Sequence, residues 1–166
     1  MTKLSFEYDR SKTNRGEVML HKATAEEIEF ILTKAADSAN EAMQLNDPIS
    51  QEQAKSLLLS ILSSGAYYVV LRNEKGSLTA WALIGENIDY ITEKRVGFIY
   101  ELYLLPEYRG AGLGKKLIKE TVKELKQQGY DEVRLNVYSK NFAKELYEKL
   151  GFNELQSIMY IKTDQI

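Results

Sequence analysis

Residues 109–114 read Arg-Gly-Ala-Gly-Leu-Gly, directly after the apolar, strand-like run Val96 to Leu105 and directly before a stretch of strong helical periodicity. A glycine-dense turn at a strand-to-helix junction limits what can be built around it. Residues without Cβ atoms let the chain turn tightly, expose successive backbone N–H groups and admit a bulky group close to the main chain. The helix that follows adds roughly half a positive charge at its N-terminus. The segment is an anion cradle, and phosphate or pyrophosphate is its natural guest.

Two phosphate loops can be tested by spacing, and both fail. A P-loop needs glycine, four residues, then Gly-Lys-Ser/Thr. Here three residues separate Gly110 from Gly114-Lys115, and Lys116 stands where the magnesium-binding hydroxyl belongs. A dinucleotide fingerprint needs a third glycine three residues after the second, an early strand and an acidic residue about 20 positions on. Three residues after Gly112 comes Lys115, and the loop lies two thirds of the way along the chain. Kinase and dehydrogenase readings fail on this spacing.

The flanking chain supplies the other elements. Residues 1–16 are polar and expected to be loosely attached, and Glu17 to Ala23 is a candidate first strand. Thr24-Ala25-Glu26-Glu27 has the pattern of a capping box and starts a helix with Ile28, Ile31 and Leu32 on one face. After Asp47-Pro48, Ser50-Gln51-Glu52-Gln53 is a second box. Leu57, Leu58, Ile61 and Leu62 then line a face, and Gly65 is the expected stop. Ala66 to Arg72, the turn Asn73-Glu74-Lys75-Gly76 and Ser77 to Ile84 read as a hairpin. Gly85 to Arg95 either extends that strand or is a polar connection. Val96 to Leu105 is the third long strand, and Leu117, Ile118, Thr121, Val122 and Leu125 give Leu113 to Gln128 a buried helical face. Glu132 to Tyr138 reads as a strand, Phe142 to Leu150 as a helix, and Asn153 to Lys162 as a final strand or hairpin. The order β-α-α-β-β-β-α-β-α-β predicts an α/β fold with a mixed sheet and helices on both faces.

Size and composition are compatible with one domain spanning 1–166, at 44% hydrophobic and 28% charged residues. A net charge of −2 argues against a general nucleic-acid binder, which needs a surplus of Lys and Arg. No apolar run approaches the roughly 18–20 residues that span a membrane, and Met1-Thr2-Lys3 does not lead into a secretory hydrophobic region. The chain contains no cysteine and one histidine, His21, which leaves no Cys-ligated metal and no Cys-His nucleophile. That usage fits a cytoplasmic chain.

Arg109, Gly112 and Gly114 match position by position the acetyl-CoA signature Gln/Arg-x-x-Gly-x-Gly/Ala of the GNAT (Gcn5-related N-acetyltransferase) superfamily. The approach Tyr100-Glu101-Leu102-Tyr103-Leu104-Leu105-Pro106-Glu107-Tyr108 resembles the family's lead-in, and Leu146-Tyr147-Glu148-Lys149-Leu150-Gly151-Phe152 resembles its second block. Together these cover about the last 75 residues. The resemblance implies a central mixed, mostly antiparallel β-sheet flanked by helices, whose central strands part in a V where the cosubstrate inserts.

It also implies roles. The main chain of Tyr103, Leu104 and Leu105 would contact the pantetheine arm, and Arg109, Gly110, Ala111, Gly112, Leu113, Gly114 and Lys115 would take the pyrophosphate, largely through backbone amides. Arg109 either adds its guanidinium there or caps neighbouring carbonyls. Lys115, Lys116 and Lys119 either meet the ribose phosphate or form a solvated face. Tyr147 would sit beside the sulfur as the acid that protonates the leaving thiolate, or serve as a core aromatic. Asn141 stands one residue closer to Tyr147 than the family pattern has it, and either reaches the pantetheine or caps the following helix. Glu101 is the favoured general base, with a salt bridge as the alternative, and Tyr103 and Glu86 are weaker candidates for lining the acceptor site.

These roles describe an acetyl-CoA-dependent N-acetyltransferase acting on a primary amine of a small molecule or a peptide, without a metal, by direct transfer in a ternary complex. A CoA-binding sensor with little turnover is the competing reading. Glu86, Asp89 and Glu101 lean toward a cationic acceptor. A homodimer is a further expectation, because final strands of this family often pair across subunits.

Overall fold

Side chains just ahead of two helices decide where those helices begin. Thr24 accepts a hydrogen bond from the Glu27 N–H at 3.2 Å while Glu27 accepts one from the Thr24 N–H at 2.8 Å, and Ser50 and Gln53 repeat the arrangement at 3.2 and 2.9 Å. Both expected capping boxes are formed. The computed structural model describes residues 19–165. In chain order these are β1 (His21–Lys22), α1 (Ala25–Thr33), α2 (Ala35–Met43), α3 (Gln51–Ser63), β2 (Tyr67–Arg72), β3 (Leu78–Ile88), β4 (Arg95–Leu104), α4 (Leu113–Gln127), β5 (Val133–Leu135) and α5 (Ala143–Lys149). Short 3₁₀ turns cover Pro106–Tyr108 and Thr163–Gln165. The expected loose segment 1–16 and the first part of the candidate strand Glu17 to Ala23 lie outside the described residues.

The sheet runs β1-β2-β3-β4-β5, antiparallel throughout except for the parallel pair β4–β5. Its faces carry two cores. Ile31, Leu32, Ala35, Ala54 and Leu58 of α1–α3 pack with Tyr68, Val70, Trp81, Leu83 and Tyr103 on one face. Leu117 and Leu125 of α4 pack with Val69, Leu71, Ala80, Ala82, Ile84 and Ile99 on the other. This is the mixed, mostly antiparallel sheet with helices on both sides that the element order called for.

The order differs in two places. An additional helix, α2, which the expected element order does not contain, follows the first helix after Lys34. Lys34 breaks the first helix, and the Gln51 side chain bridges the break by donating to the Leu32 carbonyl at 2.7 Å and accepting from the Ala36 N–H at 2.9 Å. Alanines at 35, 36, 39 and 42 favour helix on both sides of the break. The expected final strand from Asn153 to Lys162 is not formed. The segment joins no ladder and leaves Ile158, Met159 and Tyr160 about nine-tenths exposed. Apolar, β-favouring composition makes a strand only where a neighbouring edge supplies hydrogen bonds, and β5 is just three residues long. Leu57, expected on a buried face, is 54% exposed, whereas Leu58 is buried as expected.

One irregularity positions the site. Leu83 pairs with Glu101 but Ile84 pairs with Ile99, so Tyr100 is an extra residue in β4, a β-bulge. In an unbroken strand Ile99, Glu101 and Tyr103 would share a face. Here Ile99 belongs to the α4-side core and Tyr103 to the α1–α3-side core. The bulge turns Glu101 and Tyr103 toward α1–α3.

Candidate active site

Gly110 and Gly112 take positive φ of 85° and 77°, conformations that favour glycine. Gly112 is the N-cap of α4 and has no side chain to cap the helix, so the first N–H groups of α4, from Leu113 onward, are left without a side-chain partner. An open, uncapped N-terminus is suited to an anionic group. Gly114 faces the side chains of Leu104 and Leu146, each 3.7 Å from where its Cβ would be. The cradle therefore lies between the end of β4 and α5. Lys115 and Lys119 are exposed on α4 and Lys116 is half-buried.

Beside the cradle the central strands part. β4 and β5 pair only from Gly97↔Val133 to Ile99↔Leu135, and the Tyr100 bulge follows at once. Leu105 donates to the Thr79 carbonyl at 3.0 Å. Alternation along an antiparallel ladder then turns the peptide groups of Glu101, Tyr103 and Leu105 toward β3, and those of Leu102 and Leu104 toward the gap. Of the three residues expected to contact pantetheine through the main chain, only Leu104 faces the gap, and Leu102 joins it. The bulge shifts this phase, so sequence alternation alone could not have found Leu102. The Arg109 guanidinium is turned away from the loop amides. It donates twice to the Leu104 carbonyl, at 2.9 and 3.1 Å, pairs with Glu41 of α2 at 3.0 Å, and lies 5.3 Å from the centre of the Tyr103 ring. Of the two roles open to Arg109, carbonyl capping is the one whose contacts are formed here.

Glu101 enters the α1–α3 face. Tyr68 of β2 donates to its Oε2 at 2.8 Å. Burial pushes its carboxyl up from the usual range, and the hydroxyls of Ser38 and Tyr68 and the Trp81 indole oppose that shift. The indole N–H makes no hydrogen bond of good geometry. Glu101 has no salt-bridge partner among the described residues. Ser38, Tyr68 and Trp81 went unnoticed in the sequence because they lie on three different elements and only the sheet register brings them together. Trp81 continues into an aromatic run, with Tyr103 at 4.9 Å and Phe30 of α1 at 6.5 Å between ring centroids.

Tyr147 is half-buried on α5, packs against Phe152 at 5.9 Å between ring centroids, and has its phenol pushed up by burial. It is protonated at neutral pH, as an acid must be. Asn141 accepts from the Ala143 N–H through Oδ1 at 2.9 Å, and its carbonyl accepts from Lys144 at 3.0 Å. Its carboxamide oxygen thus meets the first N–H of α5, whose N-cap position is Phe142.

Glu86 and Asp89 are engaged by other side chains. Glu86 pairs with Arg95 and accepts from Tyr130, and Asp89 is held by Arg134 at 2.6 Å and by the Ile91 and Thr92 amides. Those contacts pull the Asp89 carboxyl down to about 2. The turn after Ile88 precedes Arg95, and the span from Arg95 to Glu101 separates it from the base candidate by about 20 Å. A cavity of about 270 Å³ lies instead at the other end of β4, lined by Glu26, Glu27, Phe30, Leu78 and Leu105.

Known proteins resemble this chain. A 57-residue stretch is 40% identical to the ribosomal protein bS18-alanine N-acetyltransferase of Haemophilus influenzae, covering 34% of this chain and 39% of that one. A 59-residue stretch is 37% identical to the thialysine N-epsilon-acetyltransferase of Bos taurus, covering 35% of each. The chain thus matches well under half the length of these two curated relatives. A protein of Pyrococcus furiosus provisionally named an acetyl transferase superposes with a TM-score of 0.75 at 25% identity, over 88% of this chain and 99% of that one. The model of the acetyltransferase (GNAT) family matches residues 31–152, from α1 through the bulged β4 and the glycine cradle to Phe152. The chain belongs to the GNAT acetyltransferase family.

Proposed function

We propose that the protein is an acetyl-CoA-dependent N-acetyltransferase that moves an acetyl group to a primary amine by direct transfer in a ternary complex. The observation that carries this reading is the bulge at Tyr100. It gives one strand a carboxylate on the α1–α3 face and peptide N–H groups directed into the gap that opens toward the α4 N-terminus. The names of the relatives, an alanine N-acetyltransferase and a thialysine N-epsilon-acetyltransferase, both concern amines.

In this reading the amides from Gly110 to Lys115 hold the pyrophosphate, and Arg109 supports them by fixing the loop to β4. The Leu102 and Leu104 peptides align the pantetheine, and a Leu104-side amide polarises the thioester carbonyl. Glu101 removes a proton from the acceptor ammonium. The amine nitrogen forms a bond to the carbonyl carbon, the carbon–sulfur bond breaks, and the thiolate takes a proton from Tyr147. Tyr147 regains that proton from solvent, and Glu101 returns its own. Asn141 acts by starting α5 and so setting where Tyr147 stands. The cytoplasm is the compartment this reading implies, and pairing of two chains through residues 153–162 is open to test by sedimentation.

The deciding experiment follows free thiol release from acetyl-CoA with a panel of primary amines, with mass-spectrometric detection of acetylated product. Thiol release that tracks product supports the enzyme. Tight CoA binding with no thiol release would establish the sensor reading instead.

A further inference from the structure

Tyr100, the extra residue of the bulge, reaches across a whole strand. Gly97 donates to the Glu132 carbonyl, just before β5, at 3.0 Å. Its ladder partner Glu86 therefore turns its own peptide groups away from β4 and toward β2. β2 begins at Tyr67, opposite Ile84, and stops short of Glu86. The Glu86 carbonyl has no neighbour in the ladder, and the Tyr100 hydroxyl takes that place by donating to it at 2.6 Å. On the way the ring passes over Gly85, where a Cβ would stand 3.5 Å from ring carbon Cε2. Phe98 lies beside the ring, 4.8 Å between centroids.

A bulge leaves the ladder locally unpaired, and backbone spacing alone does not hold it at one position. The tyrosine strap does. Removing the slip would move one strand about 3.4 Å past the other, farther than a hydrogen bond can stretch. The bond is made only while the extra residue stands at Tyr100. Glu101 and the peptides of Leu102 and Leu104 follow it in β4 and take their phase from it. A second tyrosine gives a contrast. Tyr130, packed with the α4-side core, donates to the Glu86 carboxylate at 3.0 Å, a group that Arg95 also holds. That bond does not touch the bulge.

Resting on the reading of the bulged strand as the transfer site, we propose that Tyr100 is a positioning residue: its hydroxyl, strapped over Gly85 to the Glu86 carbonyl, locks the bulge and so sets Glu101 and the Leu102 and Leu104 peptides for transfer. It acts through the strand and not on the reacting atoms. Tyr130 holds the same glutamate from the other face and has no such role.

The test compares the full chain as wild type, Tyr100→Phe and Tyr130→Phe. Each variant keeps its ring and loses one phenol hydrogen bond, so the two should melt close to each other. In the first arm, kcat for the best amine should fall at least about tenfold in Tyr100→Phe, because the reacting groups lose their alignment. The KM for acetyl-CoA should stay within about threefold, since the glycine cradle is untouched. Tyr130→Phe should keep kcat within about twofold of wild type. An unchanged kcat in Tyr100→Phe, or equal losses in the two variants, would overturn the proposal.

The second arm needs no turnover. Hydrogen exchange, read by mass spectrometry on the protein without cosubstrate, should quicken at least about tenfold over residues 96–105 in Tyr100→Phe and stay unchanged over α4. Tyr130→Phe should match wild type over residues 96–105. Unchanged protection there in Tyr100→Phe would overturn the proposal even if kcat falls. Faster exchange in Tyr100→Phe, with a wild type that releases no thiol from acetyl-CoA, supports the bulge lock and removes the transferase reading, so the two failures are distinguishable.

Discussion

Arg109 sets its guanidinium against the Leu104 carbonyl at 2.9 and 3.1 Å, so the first residue of the glycine turn is tied to the last residue of β4. The glycines make the turn possible, and this fork limits where it goes. Arg109→Lys removes the fork while keeping the charge, and a single ammonium cannot hold both the carbonyl and Glu41 in the same geometry. A lost charge-assisted bond at a half-exposed position is worth about 1 kcal/mol, so the Kd for acetyl-CoA should rise about fivefold. Calorimetric titration reads this directly.

The glycines of the loop differ in what they require. Gly112→Ala places a side chain at φ 77° and should lower stability by about 1–2 kcal/mol, with loss of acetyl-CoA affinity as the cap shifts. Gly114→Ala meets side chains of Leu104 and Leu146 only at ordinary contact distance, 3.7 Å, and should leave both properties nearly unchanged. Chemical denaturation and binding titration of the two variants give the contrast.

Glu101→Gln should separate function from stability. Its native carboxyl is raised by burial, so the protonated form favours the fold. The favourable contribution is complete below the unfolded carboxyl range, near pH 4.3, and is lost as pH rises through the native value. Glutamine resembles the protonated form at every pH. The variant should melt above wild type at pH 8, with the difference closing at pH 4, and should lose at least about a hundredfold in kcat/KM at neutral pH. Melting curves at the two pH values and steady-state kinetics test both halves.

Tyr147→Phe removes a hydroxyl that makes no hydrogen bond to any described residue. The ring packing on Phe152 survives, so the melting temperature should hold. If the phenol is the acid, kcat should fall about a hundredfold while the KM for acetyl-CoA stays within about twofold. An unchanged kcat would reduce Tyr147 to a packing residue.

The cradle was legible in the sequence because it depends on local backbone conformation. Glycines at 110, 112 and 114 between a strand and a helix have few other uses, and the two capping boxes were equally local. The helix α2 was missed because an alanine-rich run with Asp37 and Asn40 carries no strong stripe, and the break before it is sealed by Gln51 from another helix. The last ten-residue strand was expected from composition alone, whereas a strand also needs an edge to pair with. The partners of Glu86 and Asp89, Arg95 and Arg134, belong to other strands and are not legible from near neighbours in the sequence.

The sequence by itself determined the family's donor-side features: the glycine turn, its amphipathic helix and the Leu-Tyr block, each a matter of near neighbours along the chain. Tertiary structure alone decided the acceptor side. Tyr100 enters the ladder as an extra residue only because β3 and β4 pair out of step there. That single offset carries Glu101 from the α4 face to the α1–α3 face, against Tyr68, Ser38 and Trp81. Side-chain alternation along a strand has period two, so one unpaired residue reverses every face beyond it, and no local preference in the sequence records where the pairing slips.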